Sequence, residues 1–355
     1  MKYRWAALSF FLLCYLFPEI WNAFTPELRE MGTPLICRRV LSLFAAGGSG
    51  LVLGLFLLRF TRDHKIAGLG ALLYLSFLQV LMLAAAAETI GMFFLIAALA
   101  SFLPACMRQE WDRVKVVQLM FCALCLWLPL HLAQCCEFFI RTAEFFLVAA
   151  AVMILFLLWE RRWRDFSLAA AVLLPSLLAL WRDGELLAAV DAGCFNWNTL
   201  LLIPFCLMPG GLLLIVGLQG ARGNWGEWLR LSHIRYLLCF LSVEIFFVLW
   251  SDRGLLCFFP LAGLGAIAVA AYFRQGGTQR FFRWIMAFWG CFWLCIAAMC
   301  LLRFSGNWLW ITLCILYGAA LLIAAIRYGW RDVLMIFFLG MIPLLIQMQL
   351  FAVQE

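Results

Sequence analysis

Three groups of residues in this 355-residue chain have types and spacings that suit chemistry. The stretch "CEFFIRTAEFF" (136–146) sets Glu137, Arg141 and Glu144 at intervals of four and three. At about 100° per residue these positions share one side of a helix, so an acid, a base and an acid neutralise one another along a stripe. The stripe is read as a structural polar seam within a bundle. Elsewhere, Glu19 follows Pro18 in "LLCYLFPEIWNAF", and Pro204, Pro209, Gly210 and Gly211 interrupt "LLLIPFCLMPGGLLLIVG". Proline removes a backbone donor and clashes with the preceding turn, while paired glycines loosen the chain. Two readings stay open: kinked but continuous helices, or discontinuous helices whose open ends form a ligand site, as in secondary transporters. On the second, Pro18, Glu19, Pro204, Pro209, Gly210 and Gly211 bind the ligand, and Glu19 meets a substrate amine or a cation. The third group, Asp183, Glu185 and Asp191 in "RDGELLAAVDAGCFNW", is a cluster of loop acids, which a membrane-embedded glycosyl or lipid transferase would need for turnover.

The elements that carry these residues lie in lipid. The chain is 67% hydrophobic and 13% charged, with a mean hydropathy of +1.01, and no water-soluble domain covers such a surface with polar groups. Apolar segments close to the ~20 residues of a spanning helix recur throughout. They fall at 5–24, 37–58, 66–87, 90–107, 114–132, 137–159, 166–181, 198–218, 234–250, 254–273, 282–303, 307–326 and 331–350. The alternating ten-residue segments of a transmembrane barrel are missing. The chain is therefore an all-α polytopic membrane protein, organised as one integral membrane domain over 1–355.

The net charge of +7 sits in short basic loops: "RFTRDHK" (59–65), "RQEWDRVK" (108–115), "ERRWRD" (160–165) and "RQGGTQRFFR" (274–283). In a membrane protein this records orientation and contact with anionic lipid, not a nucleic-acid partner. "MKYRW" reads as the cytoplasmic start of a retained first helix. Thirteen crossings from there put all four loops, and 219–235, on the cytoplasmic side.

Ionisable residues inside a bilayer normally face the bundle interior, and Glu88 and Glu244 join the acids above in that class. Most of the 15 cysteines lie singly in apolar runs and act as small hydrophobes. Cys122 and Cys125 form a CxxC without a polar second shell, so neither metal nor cofactor is expected. No GxSxG, P-loop or HExxH occurs. Transport or sensing is expected ahead of catalysis.

A resemblance sharpens that expectation. "EFFIRTAEFFLVAAAVMILFLL" (137–158) resembles the helix of the spore germination permease family in which Arg–x–x–Glu precedes a long aliphatic run. Segments 68–104, 165–187, "NTLLLIPFCLMPGG" (198–211) and 258–296 follow in family order, with Phe259-Pro260 in place of Tyr-Pro and Gln279-Arg280 kept. The likeness covers about residues 66–300. It implies a divergent member of the amino-acid/polyamine/cation permease superfamily. The implied fold is LeuT-type: about ten helices in two inverted five-helix repeats, with helices one and six broken at Pro18-Glu19 and at Pro204–Gly211. The implied function is that of a B subunit of a nutrient germinant receptor in the spore inner membrane of a bacterium. It would bind a small, amino-acid-like nutrient and act with an A subunit and a lipoprotein C subunit, without catalysis. The other reading is an independent secondary transporter, either an amino-acid permease or major-facilitator-like. A ten-helix fold reduces 90–107, 166–181 and 254–273 to partial or re-entrant segments and moves some basic loops outside, against the thirteen-crossing count.

Overall fold

A chain crossing hydrocarbon must satisfy its backbone groups internally, so among the described residues the apolar segments are helical. The computed structural model describes residues 33–77, 88–108, 110, 112–135, 142–183, 207–208, 210–250, 258–274, 279–303 and 308–352. Among these, thirteen α-helices follow in order: α1 (Thr33–Thr61), α2 (His64–Leu75), α3 (Glu88–Met107), α4 (Arg113–Cys135), α5 (Thr142–Trp159), α6 (Phe166–Asp183), α7 (Gly211–Ala221), α8 (Trp225–Trp228), α9 (Ser232–Trp250), α10 (Phe259–Arg274), α11 (Gln279–Arg303), α12 (Trp308–Arg327) and α13 (Trp330–Ala352). A single 3-10 turn, Trp163–Asp165, joins α5 to α6. Among the described residues five stretches, Phe44–Thr61, Thr89–Met107, Ser232–Trp250, Arg280–Leu301 and Trp308–Arg327, are long and apolar enough to cross a bilayer. Large apolar side chains such as Phe44, Met120, Leu178 and Leu218 are exposed, as lipid-facing residues are. The chain is an integral membrane protein.

Two compact units divide it, one of residues 33–268 and one of residues 269–355 together with 1–32. In the larger unit the connections gather at one end. Arg235 pairs with Glu160 at 2.8 Å, joining the start of α9 to the end of α5. Arg162 Nη1 lies 3.8 Å from Met107 Sδ, joining the α5–α6 turn to the end of α3. Phe60 stacks on His233 with ring centroids 5.4 Å apart, which brings in the end of α1. Helices α1, α3, α5 and α7 therefore run into this end, and α2, α4, α6 and α9 leave it. Local bonds fix each turn. Asp63 caps α2 by accepting from Lys65 N at 2.7 Å. Asp112 caps α4 by accepting from Lys115 N at 2.7 Å and also pairs with Arg108. The Lys115 N–H bond, followed by the Arg108 guanidinium, holds the Asp112 carboxyl below the usual carboxylate range. Lys115, itself buried, donates to Arg108 O at 3.0 Å. Arg62 and Arg161 follow α1 and α5 with φ of 53° and 54°, left-handed positions that cost a non-glycine residue about 1 kcal/mol.

The core of this unit is aromatic. Tyr236 in α9 is fully buried and donates its hydroxyl to Leu99 O of α3 at 2.7 Å. Its ring meets Phe156 of α5 edge-on at 5.0 Å and Phe56 of α1 at 6.4 Å. One side chain thus ties α9 to three neighbours. In lipid, where no hydrophobic force separates helix from tail, such packing and bonding must supply the association.

In the smaller unit α11 and α12 meet through glycine. A Cβ on Gly290 would stand 2.8 Å from Gly318 O, and one on Gly318 the same distance from Gly290 O, so only glycine permits this approach. Trp289, Trp293, Trp310 and Tyr317 then pack edge to face, with Trp293 6.0 Å from Trp310 and 5.9 Å from Tyr317. Tyr317 donates to Phe337 O of α13 at 3.1 Å. At the ends of these helices Phe273 stacks on Trp330 at 4.2 Å, and Arg283 Nη2 donates to Tyr328 O at 3.3 Å.

Of the three segments that the ten-helix expectation made partial or re-entrant, Thr89–Met107 is long and apolar enough to cross a bilayer. Residues 88–107, 166–183 and 259–274 are helices of 20, 18 and 16 residues. The basic turns at 59–65, 107–115 and 159–166, which that fold would have split between the two sides, share one end of the larger unit. Two outcomes are expected. Reporter tags inserted beside Arg113, Arg164 and Gly223 become accessible from the same side, the cytoplasmic one, in intact and opened cells; accessibility of any one only from outside contradicts this topology. In detergent, Tyr236→Phe lowers stability by about 1 kcal/mol through its lost hydrogen bond, and Tyr236→Ala by about 3–5 kcal/mol through the added cavity, as read by thermal unfolding.

Candidate functional site

Opposite the basic end of the larger unit lies a second set of helix termini. An 18-residue helix is about 27 Å long, so α5 and α6 carry the chain across one bilayer thickness from their shared turn. The N-termini of α1, α3 and α5 and the C-termini of α4, α6 and α9 therefore stand at this far end. The first turns of α3 and α5 touch there, with Phe145 against Gly91. Both charge signs occur among these termini. Arg38 and Arg39 lie early in α1, Glu88 opens α3, Glu144 is in the first turn of α5, and Arg182 and Asp183 close α6. A carboxylate in the first turn of a helix is stabilised by the N-terminal dipole, which suits Glu88 and Glu144. Asp183 closes its helix at the negative end of the dipole, an unfavourable place by about 0.3–1 kcal/mol. Arginine offers planar, paired donors to a phosphate, and a carboxylate offers a proton acceptor.

Of the polar seam read from sequence, Glu144 is described and half-buried, with α5 starting at Thr142; Glu137 and Arg141 lie outside the described residues. Pro18, Glu19, Pro204 and Pro209 also lie outside them. At the second break the helix does begin afresh: Gly210 is the N-cap of α7 and Gly211 its first residue. Gly210 packs so closely on Ser76 and Phe77 that a Cβ there would stand 3.0 Å from two atoms of the Phe77 ring. Phe77 in turn meets Phe258 at 5.1 Å, and the adjoining Phe259 and Pro260 are buried, Phe259 lying 5.8 Å from Phe56 and 5.9 Å from Phe240. The structure thus joins Gly210–Gly211 with Phe259–Pro260 around Phe77, where the end of α2 and the starts of α7 and α10 meet. Phe258 holds φ at 52° in this joint, and the Ser76 hydroxyl donates to Leu73 O at 2.8 Å. It is an apolar joint that offers packing and no charge. Gln279 and Arg280 open α11 in the smaller unit, with Arg280 exposed. Glu244 is buried within α9.

Sequence reasoning missed the residues that organise the larger unit, Tyr236 and the Glu160–Arg235 pair. A tyrosine and an arginine one residue apart at the start of an apolar helix were the signal available, and nothing in the sequence names partners 137 and 75 positions away.

No family model matches the chain, and no curated protein matches it. Two crystal structures of ArnT from Cupriavidus metallidurans are similar to it. The one bound to undecaprenyl phosphate has a TM-score of 0.56 and 13% identity, covering 94% of this chain and 65% of ArnT. The apo structure has a TM-score of 0.52 and 13% identity, covering 87% and 61%. The chain therefore spans less than two thirds of the length of these neighbours. At 13% identity the likeness shows the fold, and it replaces the LeuT-type fold of two inverted five-helix repeats. The readings as a germinant-receptor subunit or nutrient transporter, and with them the expectation of a protein that is not an enzyme, were drawn on that permease fold and fall with it. The A and C partner subunits rested on that permease reading alone. What stands is an integral membrane protein with a fold similar to that of ArnT.

Proposed function

We propose that this chain is a membrane-embedded glycosyltransferase that works on a sugar carried by a polyprenyl phosphate, in a bacterial cell membrane with its basic end toward the cytoplasm. The observation that carries the reading is the likeness over 94% of the chain to a protein bound to undecaprenyl phosphate. The far end of the larger unit supports it, because arginines and carboxylates stand there together. Transfer joins an acceptor hydroxyl oxygen to the anomeric carbon and breaks that carbon's bond to phosphate. The polyprenyl phosphate leaves with the bonding electrons, and the hydroxyl proton passes to a carboxylate. Arg38, Arg39 and Arg182 are the cations available for the phosphate, and Asp183, Glu185 and Asp191 the acids available as base. Glu27 and Glu30, in the polar stretch 25–39, are further candidates for the base.

Full-length protein in nanodiscs is expected to bind undecaprenyl phosphate and not undecaprenol, because only the phosphate engages arginine. With a lipid-linked sugar and a panel of acceptors, loss of the base lowers kcat by about 10²–10⁴ while lipid binding is kept. Replacing Asp183, Glu185, Asp191, Glu27 and Glu30 one at a time by the matching amide identifies that base. Equal binding of phosphate and alcohol, or full turnover in all five variants, contradicts the proposal.

A further inference from the structure

We propose that the basic end of the larger unit is a docking surface for acidic phospholipid headgroups, held chiefly by Arg62 and Arg161. The inference is independent of the transferase reading, which concerns the opposite end. Charge is the first argument. Segments 59–65, 107–115, 159–166 and 221–235 hold twelve lysines and arginines against six acids. Four of those acids are engaged within the protein: Asp63 by Lys65 N, Asp112 by Lys115 N and Arg108, Glu160 by Arg235, and Asp165 by Arg162 at 3.0 Å. Arg62, Arg113, Arg161, Arg164, Arg222 and Arg230 are exposed, and among the described residues none of their guanidiniums has a hydrogen bond or ion pair.

The second argument is the backbone. Arg62 and Arg161 occupy the left-handed position just past a helix, which glycine fills by default. Both helix ends forgo glycine there, and both place a cation instead. A third argument is the surroundings. Trp159, Trp163 and Trp225 are exposed at this same end, 46%, 66% and 40% accessible, and indole rings favour the headgroup level. Planar guanidiniums rimmed by indoles suit a phosphodiester anchored in the leaflet.

Glycine replacement tests this without endangering the fold, since glycine relaxes both positions. The probe is the full chain in nanodiscs of phosphatidylglycerol or of phosphatidylcholine, with retained lipids counted by native mass spectrometry after extraction. The wild type is expected to keep phosphatidylglycerol preferentially, and added inorganic phosphate is expected not to displace it. In R62G/R161G the preference falls roughly five-fold per arginine, while the melting temperature in neutral detergent stays level or rises; R62K/R161K keeps most of the preference. An unchanged preference in R62G/R161G overturns the proposal. So does a lower melting temperature of that variant in neutral detergent, which would make the arginines structural, or displacement of the lipid by inorganic phosphate.

Discussion

The hydrocarbon layer contains no water to satisfy a free N–H or C=O, and this single deprivation shapes the molecule. Each crossing is a helix because only a helix settles its backbone account internally. Because the interior refuses charge as well, ionisable groups collect at helix ends. In the larger unit one end becomes basic and tightly capped, through Asp63, Asp112 and the Glu160–Arg235 pair. The other end mixes Arg38, Arg39, Glu88, Glu144, Arg182 and Asp183 along the helix termini. The two sets of charges are thereby separated by about one membrane thickness before any particular contact is considered.

Between those ends, cohesion comes from fit. Aromatic rings around Tyr236 lock α9 to α1, α3 and α5, and a single hydroxyl directs the packing by reaching Leu99 O. The smaller unit uses the opposite device. Removing two side chains lets α11 and α12 approach until each glycine faces its partner's carbonyl. Both solutions suit a medium in which apolar burial against another helix gains little over burial against a lipid tail.

The recurring apolar segments and the basic loops were legible in the sequence: among the described residues each segment from 37–58 onward contains a helix, while 5–24 lies outside them. They rest on large free energies, those of burying a backbone or a charge in lipid. The permease resemblance rested on short runs such as Leu-Leu-Pro and Gly-Leu, which many apolar helices supply from composition alone. It required 90–107, 166–181 and 254–273 to be partial or re-entrant, and the first of these lies in a helix long enough to span. The far end was legible only in outline: Asp183, Glu185 and Asp191 stood out as loop acids, Arg38, Arg39 and Glu88 reach the end where Asp183 stands only through topology, and Glu185 and Asp191 lie outside the described residues. Tyr236 and Arg235 look ordinary in sequence because their roles depend on partners far along the chain.

The length of α1 has a consequence of its own. It runs for 29 residues, about 44 Å, against ~30 Å of hydrocarbon. Arg38 and Arg39 lie in its second turn and Arg59 in its last, so Arg39 and Arg59 are about 30 Å apart along one continuous helix. Cations fixed about one hydrocarbon thickness apart meet the phosphates of both leaflets only over a narrow range of tilt. Thinning or thickening the membrane would change that tilt, making bilayer thickness a variable to which this protein is mechanically coupled.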